Sequence, residues 1–352
     1  MITHGNINRT ARIGRAASLS QSQRLAIGAH QRSAPNVANP AHQTAGLREL
    51  EIGSVFATNY QIRSLLSKDG GMSIIYDARD LRSGKDVALK ITEPLFESKF
   101  NVDCLRNEAG ILAQNLHPMF PAFHEVGSRG DQHFIVMEKI DGISLQAILK
   151  DRTGLTLPQV IETSLQVLYG LKVLHANNEV HRDLKPANIL INKNPDGGLR
   201  ARLLDFGISC KIGNREEDGT LAGSPAYISP EQIFSKRIDQ RTDIYSLGLL
   251  LYEMLTRENP MSTGRVDATI ANQTSKTTPD LPIGLIEGKM DRDKVDEVLD
   301  KVDALQQLLQ KIVAKMSKKD PVERYQTVDE LIPEFEEAKA LAQELAAYEE
   351  RY

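Results

Sequence analysis

His181-Arg182-Asp183-Leu184-Lys185-Pro186-Ala187-Asn188, running on into Ile189-Leu190-Ile191, is the stretch on which the reading of this chain turns. The apolar run Val173-Leu174-His175 leads into it, and Asp205-Phe206-Gly207 follows a short way on. Polar residues this dense between apolar runs read as a loop held by packed elements, and such loops carry function. Asp183 can orient a hydroxyl and accept its proton. Asn188 and Asp205 can both offer oxygen to Mg²⁺, a hard cation that prefers carboxylate, carbonyl, phosphate and water oxygens. Lys185 can neutralise a phosphoryl group in transit. That inventory suits phosphoryl transfer, where positioning and charge stabilisation supply nearly all the catalysis.

A lone His-Arg-Asp is common, and a lone Asp-Phe-Gly is an ordinary turn. The eight-residue string followed at the right distance by the second motif is far more specific. Together, H-R-D-L-K-P-A-N and D-F-G resemble the catalytic and magnesium loops of protein kinases. The rest of the chain must supply the structural context that such motifs require.

The chain has 352 residues, enough for a two-lobed domain with extensions. Hydrophobic residues at 41% and charged residues at 26% are ordinary for a globular protein. A net charge of −4 gives no reason to expect nucleic acid as a partner. Cys104 and Cys210 are far apart, which disfavours a disulfide framework or a zinc site. No apolar run approaches the roughly 20 residues of a transmembrane helix.

Residues 1–50 stand apart. From Met1 to Arg48 there is no Asp or Glu, while Arg9, Arg12, Arg15, Arg24, Arg32 and Arg48 are all present. Such composition suits a disordered tail. It also resembles transit peptides, and the unstructured export signals of effectors that some bacteria inject into host cells. The expected location is cytoplasmic, or a host cell reached through this tail.

Tyr60 to Leu66 and Ile74 to Arg79 read as strands joined by turn residues, a hairpin whose glycines let backbone N–H groups approach phosphate. The hairpin partly resembles the kinase Gly-rich loop. Gly70 falls on its second glycine, beside Gly71, while Lys68, or Ser67 if one residue is inserted, stands at the first and Ser73 at the third. Val87 to Ile91 is a strand whose Lys90 matches the kinase lysine that pairs the α- and β-phosphates of ATP. A helix is expected from Leu105 to Leu116, with Leu105, Ala109, Leu112, Ala113 and Leu116 on its apolar face. Its Glu108 resembles the glutamate that orders that lysine. Val126 to Gly130 turns into the strand His133 to Glu138, which looks like the kinase hinge. There Met137 would back the adenine pocket, and backbone groups of Glu138 and Ile140 would bond the adenine edge.

Ser144 is placed to cap a short helix, and Leu157 to Leu174 forms a long amphipathic one. Ile189–Ile191 and Ala201–Leu204 read as a hairpin carrying Asp205 at its end. Gly207 to Glu231 resembles a Ser/Thr-kinase activation segment, with Ser229 in place of the Ala of A-P-E. Thr220 and Ser224 are its candidate phosphosites. In the family, the arginine at position 182 often receives such a phosphate. Arg241 begins a strongly apolar helix whose Asp243 matches the residue that holds the catalytic-loop backbone. Arg324 matches the partner of Glu231. Residues 261–304 are polar and long for the family, a solvated insert or a docking surface for a partner. A helix is expected from Leu305 to Met316, and another from Val328 to Tyr352.

The resemblance covers about residues 58–338 and implies an α+β, two-lobed fold. The small β-rich lobe would span 58–138, the mainly helical lobe 139–338, and a helical extension 339–352. It further implies a bacterial-type Ser/Thr kinase that uses ATP and Mg²⁺ on a protein substrate. Asp183 would orient the hydroxyl, Lys90 and Lys185 would hold phosphates, and Asn188 and Asp205 would hold Mg²⁺. The alternative is a kinase-like binding scaffold. The complete set Lys90, Glu108, Asp183, Asn188 and Asp205 favours the enzyme, since a scaffold does not need all five.

Overall fold

A computed structural model describes residues 49–69, 73–92, 99–151, 154–194, 198–213, 222–234, 236–282 and 295–349. The tail 1–48, Gly70, Gly71 and Thr220 lie outside these described residues.

The first lobe is an antiparallel sheet of β1 (Val55–Phe56), β2 (Tyr60–Asp69), β3 (Ser73–Asp80), β4 (Asp86–Thr92), β5 (Phe123–Arg129) and β6 (Gln132–Glu138), in the order β1-β2-β3-β4-β6-β5. Helix α1 (Lys99–Gln114) crosses between β4 and β5. Strand period sorts the side chains. Val87, Leu89 and Ile91 of β4 join Phe134 and Val136 of β6 in a core on one face. Ala88, Ile135 and Met137 face the other way and pack with Leu105, Ala109 and Leu112 of α1. Lys90 alternates with Leu89 and so lies on the α1 side, toward the second lobe.

That lobe contains β7 (Ile143–Ser144), α2 (Leu145–Lys150), α3 (Leu157–Ala176), β8 (Glu179–Val180), β9 (Ile189–Lys193), β10 (Leu199–Leu203), β11 (Cys210–Lys211), α4 (Pro230–Ile233), α5 (Arg241–Thr256), α6 (Val266–Ser275), α7 (Val295–Met316) and α8 (Val328–Glu349). Ser144 caps α2 through the Ala147 N–H. The expected hairpin is β9 paired antiparallel with β10, Ile189 opposite Leu203. Helix α5 is buried on nearly every side, as its continuous apolar sequence requires. A Cβ on Gly248 would stand 2.7 Å from the Met316 Cβ, so glycine allows α5 and α7 their close approach.

Several expectations are corrected. Helix α1 begins at Lys99 and stops at Gln114, so Leu116 lies beyond it and is 85% exposed; within its last turn Ala113 is exposed and Ile111 is buried instead. The 3.6-residue period holds only while the helix lasts. Phe123–Arg129 is a strand rather than a lead-in turn, because β6 supplies its hydrogen-bond partners. Helix α7 starts ten residues before Leu305; its acidic first turns hide an apolar stripe that includes buried Val298. The stretch 261–304 is not wholly a solvated insert, since Met261, Ile270, Gln273 and Leu281 are buried. Helix α8 runs unbroken through residue 338 and buries Ala342 beyond it.

Candidate active site

The His181–Asn188 loop is suspended from α5. The buried Asp243 carboxylate accepts from the backbone N–H groups of His181 and Arg182, 2.9 Å each, and from His175 Nε2 at 2.9 Å. Burial works to raise Asp243, but His175, His181 and these donors overcome it and hold the carboxyl below its ordinary value. Arg182 has φ 71°, the left-handed conformation that a non-glycine residue keeps only when its surroundings impose it. The two Asp243 bonds supply that imposition.

Both oxygens of Asp183 are oriented. Oδ2 accepts from Lys185 Nζ at 2.6 Å and from Asn188 Nδ2 at 3.0 Å. Oδ1 accepts from the Ser224 hydroxyl at 2.8 Å and the Ser224 N–H at 3.1 Å. The Asn188 amide nitrogen also donates to the Asp183 carbonyl at 2.9 Å, so its amide oxygen is turned the other way. Asp183, Lys185 and Asn188 therefore form one hydrogen-bonded set, with the candidate phosphosite Ser224 against it.

Across the cleft, Lys90 Nζ lies 2.6 Å from Glu108 Oε2 and 2.9 Å from Asp205 Oδ1. Burial alone would lower the ammonium, yet the Asp205 and Glu108 carboxylates outweigh it and hold Lys90 above its ordinary value. Asp205 is held far below the carboxylate range: burial opposes this, but Lys90 dominates, with help from Lys185 and His181. Glu108 is raised by its burial, against the pull of Lys90. Asp205 is itself left-handed, with φ 63°. Phe206 anchors the turn, edge-on to Phe120 and His181 at centroid separations of 5.2 and 5.0 Å. Asn107 of α1 closes it by donating to the carbonyls of Phe206 (3.1 Å) and Ser209 (2.7 Å).

At the lobe junction Met137 is buried opposite Ala88 of β4. Side chains here do more than the sequence suggests. Glu138 takes Arg202 Nη2 at 2.5 Å and the Ala122 N–H at 3.1 Å, tying the end of β6 to β10. Arg202 also donates to the Phe120 carbonyl at 2.8 Å. Ile140 follows in the connecting segment. Of the phosphate-hairpin candidates, Ser73 is buried at the start of β3, opposite Asp69. Lys68 is exposed and ion-paired with Glu49.

Arg324 is a buried arginine with all five N–H groups engaged. It forms a two-pronged pair with Glu231 at 2.7 and 2.8 Å and donates to the carbonyls of Lys318, Lys319 and Arg241. Ser229 caps α4 by accepting from the Gln232 N–H, a use open to serine and closed to alanine. Sequence reasoning missed Asn107, His175 and Arg202 as site residues, for each works through a partner more than 60 residues away. Their one signal was a polar residue inside or beside an apolar pattern.

The protein kinase domain family matches residues 67–334. The chain is 33% identical over 292 residues to the serine/threonine-protein kinase PknB of Mycobacterium tuberculosis, covering 79% of this chain and 42% of that protein. It is 30% identical over 291 residues to a probable serine/threonine-protein kinase of Clostridium perfringens (82% and 39%) and 34% identical over 275 residues to PknB of Mycobacterium leprae (74% and 40%). The chain spans about two-fifths of the length of these curated relatives. Among the described residues no helix is long and apolar enough to cross a membrane. With a two-lobed fold, a Lys90–Glu108–Asp205 cluster and an Asp183 loop hung from Asp243, this chain belongs to the protein kinase family, among relatives of the bacterial serine/threonine type.

Proposed function

We propose that this chain is an ATP-dependent serine/threonine kinase that transfers the γ-phosphoryl group to hydroxyls of a protein substrate. One observation carries this reading: two charged sets, Lys90–Glu108–Asp205 and Lys185–Asp183–Asn188, converge on one cleft. Asp183 orients the attacking hydroxyl and takes its proton as the oxygen–phosphorus bond forms. Lys90, aligned by Glu108, pairs with the α- and β-phosphates, and Lys185 offsets charge on the group in transit. Met137 backs the adenine, and the backbone of Glu138 and Ile140 meets its edge.

Asp205 is held ionised and the Asn188 amide oxygen is turned away from Asp183, which suits a hard cation. Among the described residues no group of three or more His, Cys, Asp or Glu is placed to hold a metal ion, and phosphate and water oxygens would complete a shell begun by Asn188 and Asp205. Asn188 and Asp205 would hold Mg²⁺, which would offset charge on the phosphates. Phosphorylation at Thr220 would answer Arg182, and Ser224 is the second candidate. Lys68, Gly70, Gly71 and Ser73 would cover the phosphates. The acid-poor residues 1–50 are taken as a tail that either stays in the bacterial cytoplasm or directs export into a host cell.

The test is transfer from radiolabelled ATP with Mg²⁺, wild type beside Asp205→Ala, with sites mapped by mass spectrometry. Label on Ser or Thr in the wild type alone is the expected result. No label on the chain or on generic protein substrates, with nucleotide bound normally, would move the reading to a scaffold.

A further inference from the structure

The segment Ala222–Tyr227 runs beside Asp183, to which Ser224 donates twice. Five of its six carbonyls are turned inward onto the second lobe or onto the segment itself. Ala222 O accepts from Gln232 Nε2 at 3.3 Å, Pro225 O from Gln273 Nε2 at 3.0 Å, Ala226 O from Asn259 Nδ2 at 3.3 Å and Tyr227 O from Ser246 Oγ at 2.8 Å. Ser224 O takes the N–H groups of Tyr227 and Ile228. Carbonyls captured by four side chains favour this conformation of the segment.

Gln273 differs from the other three because it heads a buried relay. Its amide oxygen accepts from the Tyr245 hydroxyl at 2.6 Å, and that hydroxyl accepts from Lys319 Nζ at 2.6 Å. Gln273 and Tyr245 are both fully buried, Tyr245 with the Arg324 guanidinium 4.7 Å from its ring centre. The Tyr245 and Lys319 bonds fix which way the Gln273 amide faces, so its NH₂ must point at Pro225. Four elements thus meet in one chain of bonds: the segment beside Asp183, α6, α5 and the turn after α7.

We propose that Gln273, held by Tyr245 and Lys319, is a positioning residue for the protein substrate: it sets the path of Ala222–Tyr227, along which a peptide presenting its hydroxyl to Asp183 must lie. This rests on the kinase reading. Gln273 touches neither the Lys90 cluster nor the hinge, so its effect falls on peptide and spares nucleotide.

The experiment combines hydrogen exchange with steady-state kinetics for Gln273→Leu and Tyr245→Phe in the full chain. Tyr245→Phe keeps the ring beneath Arg324 and removes only the relay hydroxyl. The expected result is about fivefold to tenfold faster amide exchange confined to residues 222–229, the size of one lost hydrogen bond. Peptide KM should rise by a similar factor with ATP KM unchanged, and Tyr245→Phe should give the same pattern more weakly. Unchanged exchange in that segment, or a parallel rise in both KM values, overturns the proposal. Because exchange needs no turnover, it decides the relay even where the wild type transfers no phosphate, and that absence would count against the kinase reading alone.

Discussion

At Asp183 four donors meet on two oxygens, so the carboxylate cannot rotate without breaking bonds to Lys185, Asn188 or Ser224. Asp183→Asn would turn an NH₂ group toward donors and, under the proposed mechanism, remove the proton acceptor. Transfer should fall by about 10²- to 10⁴-fold, the range for lost general-base catalysis, with nucleotide affinity kept. Steady-state rates beside calorimetric ATP titration would show it, and an Asp183→Asn variant that still transferred at the wild-type rate would remove Asp183 from the mechanism.

Lys319 offers a second prediction at this scale. Its burial, with Arg324 and Lys276 adding repulsion, lowers the ammonium from 10.5 to about 8. Below about pH 8 both folded and unfolded chains hold this proton, and the cost of the buried charge is fully present. Between about 8 and 10.5 the unfolded chain binds more protons, so this group makes stability rise with pH. Denaturant titrations across that window should show the rise in wild type relative to Lys319→Met. Parallel curves for the two proteins would mean that Lys319 is not buried as charge.

Among the elements, the segment after Asp205 is tied down at its far end by α4, through Glu231 and the fully engaged Arg324. Removing one partner strands the other without solvent. Arg324→Met should cost about 3–5 kcal/mol in urea unfolding, well above the roughly 0–1 kcal/mol of an exposed pair such as Arg265–Asp267. A loss below about 1 kcal/mol would show that the pair is not sealed from water. A gentler contrast lies at the junction of the lobes. There Arg202 joins β10 to Glu138, so the strand that leads into Asp205 also steadies the connection where nucleotide would sit.

For the molecule as a whole, α8 is part of the second lobe. It lies along α3 through Lys339–Glu162 and Tyr169–Glu336, and reaches α7 through Lys301–Glu344. Phe335, Ala338 and Ala342 enter the core. A chain ending at residue 338 should unfold a few degrees lower, chiefly from lost apolar burial rather than lost surface pairs. Scanning calorimetry of the two lengths would decide it, and equal midpoints would make 339–349 an appendage.

Many of the individual elements were legible because they depend on local rules, while the two-lobed plan followed from the motifs' resemblance to protein kinases. Period-2 alternation set the faces of β4 and β6, a turn-flanked hairpin carried Asp205, and unbroken apolar character made α5 a buried helix. The charged residues of the cleft were legible by motif. Misplaced boundaries had one cause: the end of α1, the start of α7 and the strand β5 are each decided by a distant partner that overrides local propensity.

From the sequence came the strands, hairpins and helices, since backbone propensity and the spacing of polar groups are properties of a linear chain, and, through the motifs' resemblance to protein kinases, the two lobes and the residue types that meet between them. Only the tertiary structure decided which polar groups hold others in place. Asp243 suspends the Asp183 loop, Arg202 braces Glu138, and Lys319 reaches Pro225 through Tyr245 and Gln273. A buried hydrogen bond joins residues by proximity in space, and partners tens of residues apart leave no mark on local pattern.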